Sequence, residues 1–179
     1  MTEAANSFLC SIRDAEELLL RFDQEQTGST PYNAEVLKRA CLVMATAAWE
    51  TYIKNRFDEE FKVWSHAVDG SPIEKFVRKK KEEDLKRFCN PNSERTKRLF
   101  FEYFEIDITQ SWKWANYEPA EAKKVLDALL AKRGNAAHKA NTKGKKSSDA
   151  HLVKREELDK AIRFLKGLVE ATEKCKILC

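Results

Sequence analysis

Arg133 and His138 are the two side chains of this sequence best suited to acid–base chemistry on a phosphate. They lie at the end of an apolar stretch, separated by Gly134, Asn135 and two alanines. A histidine exchanges a proton near neutral pH, whereas an arginine stays charged and can hold two phosphate oxygens. Such a pair can cleave RNA without a metal, because the histidine manages the proton of the 2′-hydroxyl or leaving group while the arginine offsets charge on the phosphorane.

The spacing of this pair does not by itself bring both side chains to one site. Residues five apart on an ideal α-helix lie about 140° apart around its axis. Asn135 and His138, three apart, share a face, so Asn135 is a supporting candidate. Gly134 can let the helix bend or end and bring Arg133 round. A simpler interpretation stays open, since basic residues near a helix C-terminus also stabilise its dipole.

The chain around this pair is strongly basic. Residues 128–148 contain six Lys or Arg residues and no acid, whereas the net charge of the whole 179-residue chain is only +4. Such asymmetry is typical of a surface that binds phosphate. The candidate RNA-binding residues are Lys132, Lys139, Lys143, Lys145 and Lys146. The alternative is a solvated loop whose lysines keep it soluble.

Apolar residues recur with helical spacing along most of the chain. The predicted helices cover residues 5–26, 33–66, 72–89, 94–104, 119–132 and 154–174, with loops over 105–118 and 139–151. The stretch from Cys41 to Trp49 is apolar almost throughout, which predicts a central helix buried against several neighbours. With five glycines and four prolines, the chain is poor in turn formers. We expect an all-α, up-down bundle of five to six helices, forming one domain over residues 1–179.

Turn residues suggest where these helices begin. Asn33, Ser71 and Ser93 each precede a predicted helix and have side chains that commonly cap one. Pro72 suits the first position of the helix that follows Ser71.

Glu50 follows Trp49 at the end of the apolar run. It is either a solvated glutamate or a supporting residue that orients His138 or Arg133, and a buried carboxylate would need such a partner. In the loop 105–118, Trp112, Trp114 and Tyr117 can stack on bases, but aromatic residues in a loop more often anchor it to the core. We favour the anchoring role.

Several site types are not indicated by the sequence. It has no H-x-E or C-x-x-C spacing for zinc, no glycine-rich phosphate loop and no paired-carboxylate motif, so we expect neither a metal nor another cofactor. Five cysteines without a signal peptide indicate reduced thiols and a cytoplasmic location. No apolar run approaches the roughly 18 residues of a membrane span. We therefore expect no membrane association.

The run from Arg133 to His138 resembles the R-x4–6-H motif of the HEPN superfamily (higher eukaryotes and prokaryotes nucleotide-binding domains). The context is similar too, because an apolar helix precedes the motif and a basic loop and a closing helix follow it. The stretch Ala40 to Phe57 is similar to the long central helix of HEPN proteins of the bacterial defence type.

This resemblance implies a homodimer in which the motifs of two protomers face each other across a cleft. Many HEPN domains are metal-independent endoribonucleases, some of them in toxin–antitoxin or defence systems. Arg133 would then bind or polarise the scissile phosphate, and His138 would be the acid or base, or would position the 2′-hydroxyl. The products would carry 2′,3′-cyclic phosphate and 5′-hydroxyl ends. RNA and an antitoxin or regulatory protein are the implied partners.

Two other functions stay open. The first is a non-catalytic helical module, such as an inactive HEPN scaffold or antitoxin partner, that binds a protein or RNA through the same basic face. Gly134 favours it, because the family often has a polar residue directly after the arginine. The second is a bundle that binds a small ligand, since the aromatic residues 112–117 can line a pocket.

Overall fold

The structure is a computed structural model, and it describes residues 1–25, 31–138 and 153–177. It contains α1 (Glu3–Glu25), α2 (Pro31–Ser65), α3 (Pro72–Arg87), α4 (Ser93–Phe104), α5 (Pro119–His138) and α6 (Arg155–Glu173). Two short 3₁₀ turns cover His66–Val68 and Ile108–Ser111. The described residues form no β-strand. The predicted all-α class is confirmed.

Helix α2 is the centre of the bundle, as predicted. It contacts α1, α4, α5 and α6. Trp49, Tyr52 and Phe57 on α2 are fully buried, and so are residues before and after them on the same helix. A helix that is apolar on most of its surface needs neighbours on several sides. The other helices are therefore arranged around α2.

The helices of the bundle run up and down. The Cys41 thiol on α2 donates to the Ala15 carbonyl on α1 at 3.3 Å, and the Phe8 and Tyr52 rings lie 5.9 Å apart, so α1 and α2 are antiparallel. Near the C-terminal end of α1, Asp23 forms an ion pair at 2.7 Å with Arg155 at the start of α6. These contacts close α1, α2 and α6 into one layer of the core.

Of the three predicted N-caps, two are wrong and one is confirmed. Helix α2 begins at Pro31, so Asn33 lies inside the helix and is not its N-cap. The N-cap of α4 is Asn92, whose side chain accepts from the Arg95 N–H at 2.9 Å, and not Ser93. Ser71 does occupy the N-cap of α3, although its side chain makes no capping hydrogen bond.

Helix α5 continues to His138, six residues beyond its predicted end. Gly134 lies within this helix and does not end it. The isolated glycine is offset by the alanines and leucines that surround it, which have high helix propensity. Arg133 and His138 therefore belong to one continuous helix.

The loop before α5 is anchored to the core, as we favoured. The Trp112 side chain is fully buried, and its indole N–H donates to Thr172 Oγ1 on α6 at 3.0 Å. Trp114 lies directly over Gly167 of α6, where an added Cβ would be 2.5 Å from Trp114 Nε1. The loop thus fits α6 at a position that has no side chain.

The glycines of α5 and α6 give a matched test of this packing. A Cβ at Gly134 would meet no atom within 4 Å, so Gly134→Ala should stabilise the fold by about 1 kcal/mol through helix propensity. Gly167→Ala drives a methyl into Trp114, whose ring lies 4.7 Å from Tyr117 and 5.6 Å from Phe164. It should destabilise the fold by about 1–3 kcal/mol. Equilibrium urea unfolding measures both changes, and a neutral Gly167→Ala would contradict the described packing.

Candidate functional site

Glu50 is held by hydrogen bonds on the surface of α2 next to Trp49. Its side chain is only 20% exposed. One carboxylate oxygen accepts from Lys54 Nζ at 2.8 Å, and the other accepts from the backbone N–H of Asn90 at 3.2 Å. Glu50 therefore has a fixed orientation, unlike a solvated glutamate.

Arg133 on α5 lies within electrostatic reach of Glu50. Burial raises the pKa of the Glu50 carboxyl, but the hydrogen bonds from Lys54 and Asn90 and the charges of Lys54 and Arg133 lower it. The net result is a pKa below the usual 4.5. Glu50 is therefore ionised at neutral pH, and α2 and α5 present opposite charges to each other at this point.

The turn before α4 joins the two helices that carry these charges. The Trp49 indole N–H donates to the Pro91 carbonyl at 3.0 Å. Two residues later, the backbone N–H and the hydroxyl of Ser93 donate to the Asp127 carboxylate on α5 at 2.8 and 2.7 Å. Asp127 precedes Arg133 by six residues on the same helix. These bonds fix the position of α5, and with it Arg133, along the direction of α2 relative to Glu50.

Asn90 in this turn has a left-handed backbone, with φ of 55°. Asparagine tolerates that conformation better than most residues. The conformation directs the Asn90 N–H to Glu50, and the side-chain Oδ1 of Asn90 is buried without a hydrogen-bond partner among the described residues. The site thus contains a residue that sequence reasoning did not identify.

Lys54 was also missed, although the sequence carries a signal for it. Glu50 and Lys54 are four residues apart on a predicted helix, a spacing at which opposite charges pair. Asn90 has no comparable signal, because it lies 40 residues from Glu50. Only the folded chain brings the turn to α2.

The remaining predicted site residues are described in part. Because α5 runs without a break past Gly134, Arg133 and His138 lie about 140° apart around its axis. The side chains of Asn135 and His138 lie outside the described residues. So do Lys139, Lys143, Lys145 and Lys146. Their proposed roles stay predictions.

Lys132 is exposed and forms an ion pair across the helix ends. Its Nζ lies 3.0 Å from Glu157 Oε1 on α6, and this hydrogen bond is the main cause that holds the pKa of Glu157 below its usual range. An exposed ion pair of this kind contributes little to stability. A contact between Lys132 and RNA stays a prediction.

Other features bear on metals and membranes. His66 is an exposed surface residue, with Nδ1 2.8 Å from Asp69, and His151 lies outside the described residues. Within residues 1–25, 31–138 and 153–177, no group of three or more His, Cys, Asp or Glu side chains is placed to hold a metal ion. Among the described helices, none combines the length and the apolar composition that crossing a membrane requires.

The depressed pKa of Glu50 predicts a pH-dependent loss of stability. Since the folded pKa lies below the unfolded one, ionised Glu50 stabilises the fold above the unfolded value near 4.5, and this contribution is lost as the pH falls through the folded pKa. Glu50→Gln should therefore lower the free energy of unfolding at pH 7, and the difference from wild type should shrink toward pH 3. Urea unfolding at several pH values measures it.

Glu170→Gln is the matched control, because Glu170 is exposed on α6. Its effect on unfolding should be small at every pH. A Glu50→Gln effect that does not change between pH 7 and pH 3 would contradict the electrostatic account.

A match to one family model covers nearly the whole chain. The family model RiboL-PSP-HEPN matches residues 11–175. No curated protein matches the chain, and neither does any solved structure. The matched range contains Glu50, Arg133 and His138, together with α2 to α6 and most of α1. The chain is a member of the RiboL-PSP-HEPN family, a family of HEPN-type domains.

Proposed function

We propose that this protein is a metal-independent endoribonuclease whose site combines Arg133 and His138 from two protomers. The observation that carries the proposal is the HEPN-type family match over residues 11–175, which includes this arginine and histidine at R-x4-H spacing. The protein acts in the cytoplasm, as a toxin or defence component, with an antitoxin or regulatory protein as a further partner.

The cleavage step needs an acid–base group and a fixed positive charge. The 2′-hydroxyl attacks the adjacent phosphorus, the bond to the 5′-oxygen breaks, and a 2′,3′-cyclic phosphate and a 5′-hydroxyl are formed. His138 transfers the proton of the 2′-hydroxyl or the leaving oxygen. Arg133 stabilises the negative charge that develops on the phosphorane.

The surroundings of Arg133 support this role. Glu50 is ionised and attracts the guanidinium, so it restricts where Arg133 can lie. Glu50 already accepts a hydrogen bond from Lys54 at 2.8 Å. Because Lys54 compensates the carboxylate, the group of three keeps a net positive charge for a phosphate. Glu50 is thus a positioning residue for Arg133.

The geometry of α5 supports a site shared by two protomers. The backbone positions of Arg133 and His138 lie about 140° apart around one continuous helix, so the two positions belong to different faces of a single α5. A second α5, related by two-fold symmetry, can bring its histidine to the first arginine. A closed two-fold dimer is also the commonest form of homo-oligomer.

The non-catalytic alternative is favoured by Gly134. A Cβ at this position would meet nothing within 4 Å, so the space beside Arg133 where relatives often carry a polar side chain is open. In a module that binds RNA without cutting it, His138→Ala would change binding little, because a neutral histidine contributes little to a salt-dependent phosphate contact.

Incubation with labelled RNA in excess EDTA tests the proposal. Wild type should cut and leave 2′,3′-cyclic phosphate ends. Arg133→Ala and His138→Ala should each lower the rate by at least about 100-fold, the usual contribution of such a catalytic group. Mapping of the product ends, beside circular dichroism of each variant, provides the measurement.

The chain offers matched controls for both substitutions. Arg163 is an exposed arginine of α6, and His66 is an exposed histidine far along the chain from α5. Arg163→Ala and His66→Ala should cut at the wild-type rate. Cleavage by His138→Ala at the wild-type rate, or cleavage that EDTA abolishes, would refute the proposal.

A further inference from the structure

An apolar cavity with a volume of about 260 Å³ lies between α5 and α6. Leu42 of α2 lines it, and Leu129 and Leu158 contribute from the two flanking helices. The aromatic rings of Tyr117 and Phe164 complete the lining. The cavity opens to solvent at its rim, and a concave, mostly apolar pocket with a few polar groups is the usual form of a site for a small ligand.

The volume of the cavity limits what it can hold. A cavity of about 150 Å³ accommodates benzene, and pockets for drug-sized ligands begin near about 300 Å³. The value here lies between the two, which suits one planar ring system with its substituents. The Tyr117 and Phe164 rings lie 5.3 Å apart in an edge-to-face arrangement, so a planar ligand would meet aromatic surface.

The aromatic wall is fixed before any ligand binds. Trp114 packs against both Tyr117 and Phe164, with ring centroids 4.7 and 5.6 Å away. Behind it, Trp114 lies against the backbone of Gly167, where an added Cβ would be 2.5 Å from Trp114 Nε1. A preformed wall lowers the entropy cost of binding a rigid ring.

The rim of the cavity favours an anionic ligand. Lys132 and Lys160 line it and are exposed, and the one acid there, Glu157, is paired with Lys132 at 3.0 Å. The rim formed by these three residues therefore has a net positive charge.

The cavity also adjoins the proposed cleavage site. Lys132 at the cavity rim directly precedes Arg133, so both sites lie at the same turn of α5. On α2, Leu42 in the cavity and Glu50, on which the charge of Arg133 acts, are eight residues apart, a rise of about 12 Å. A strand of a few nucleotides spans this distance.

We infer that the cavity holds one nucleobase of the bound RNA, next to the phosphate that Arg133 contacts. The base lies against Tyr117 and Phe164, and its phosphate lies toward Lys132 and Lys160. The inference rests on the proposed function for the identity of the ligand. It adds a specificity-determining subsite that selects which nucleotide stands beside the cut.

A cavity-filling variant tests the inference. Ala128 lines the cavity but is exposed, so Ala128→Trp can fill the space without removing core packing. Ala131 is an exposed alanine of the same helix that does not line the cavity, which makes Ala131→Trp the matched control. Tyr117→Leu is a second variant, which removes aromatic surface without filling the space.

The probe is a set of short 2′-O-methyl RNA oligonucleotides, each with one abasic position. They lack the 2′-hydroxyl nucleophile, so binding is measured without cleavage. Wild type should bind about tenfold more weakly when one particular base is missing, in line with the usual contribution of a stacked base. This dependence should disappear in Ala128→Trp, weaken in Tyr117→Leu and persist in Ala131→Trp.

The inference is overturned if wild type binds all the abasic oligonucleotides equally well. It is also overturned if Ala128→Trp depends on the missing base as strongly as wild type does. Binding of anilinonaphthalene sulfonate in the cavity together with equal binding of all the abasic oligonucleotides also overturns it, because the cavity would then serve another apolar ligand. If the position-dependent loss is found for a protein that cuts no RNA, the subsite is supported and the proposed nuclease activity alone fails.

Discussion

Two hydrogen bonds between adjacent residues of α2 and the turn before α4 fix that turn, and the site depends on its position. The buried Trp49 indole needs an acceptor for its N–H, and the Pro91 carbonyl supplies it at 3.0 Å. Glu50 accepts the N–H of Asn90, directly before Pro91, at 3.2 Å. A buried donor left unpaired costs about 1–3 kcal/mol. Both partners therefore favour one position of the turn, and the Ser93–Asp127 contact then positions α5.

This arrangement links core packing to chemistry. Trp49 contacts Trp112, whose ring lies 5.9 Å away, and Trp112 bonds to α6, so the same residue that holds the turn also holds the loop before α5. The turn before α4 is thereby fixed on α2, and the loop before α5 is fixed on α6. The ionised Glu50 then acts on an arginine whose backbone has little freedom. A site on a rigid helix holds its groups more precisely than one on a loop.

Much of this fold follows from local pattern. Helical periodicity predicted six helices, and the apolar run from Cys41 to Trp49 identified α2 as central, because burial on all sides requires such a composition. The predicted end of α5 was wrong, since one glycine among helix formers does not stop a helix. The N-cap of α4 was wrong because Asn92 and Ser93 are both good caps, and a distant residue, Asp127, decides between them.

The parts of the site that were not predicted depend on contacts between distant residues. Asn90 reaches Glu50 across 40 residues, and no periodic pattern encodes such a pair. The cavity between α5 and α6 depends on where Trp114 lies over Gly167, which is a property of packing. The Arg133–His138 pair, in contrast, was visible as a motif, because its residues are close in sequence.

The site described above depends on the charge of Arg133 acting on the Glu50 carboxylate. NMR titration of that carboxyl in wild type, Arg133→Gln and Lys54→Gln tests it most directly. We expect a wild-type pKa below 4.5, a higher pKa in Arg133→Gln, and a larger rise in Lys54→Gln, which loses both a hydrogen bond and a charge. A wild-type pKa at or above 4.5, or a pKa that Arg133→Gln leaves unchanged, would contradict the claim.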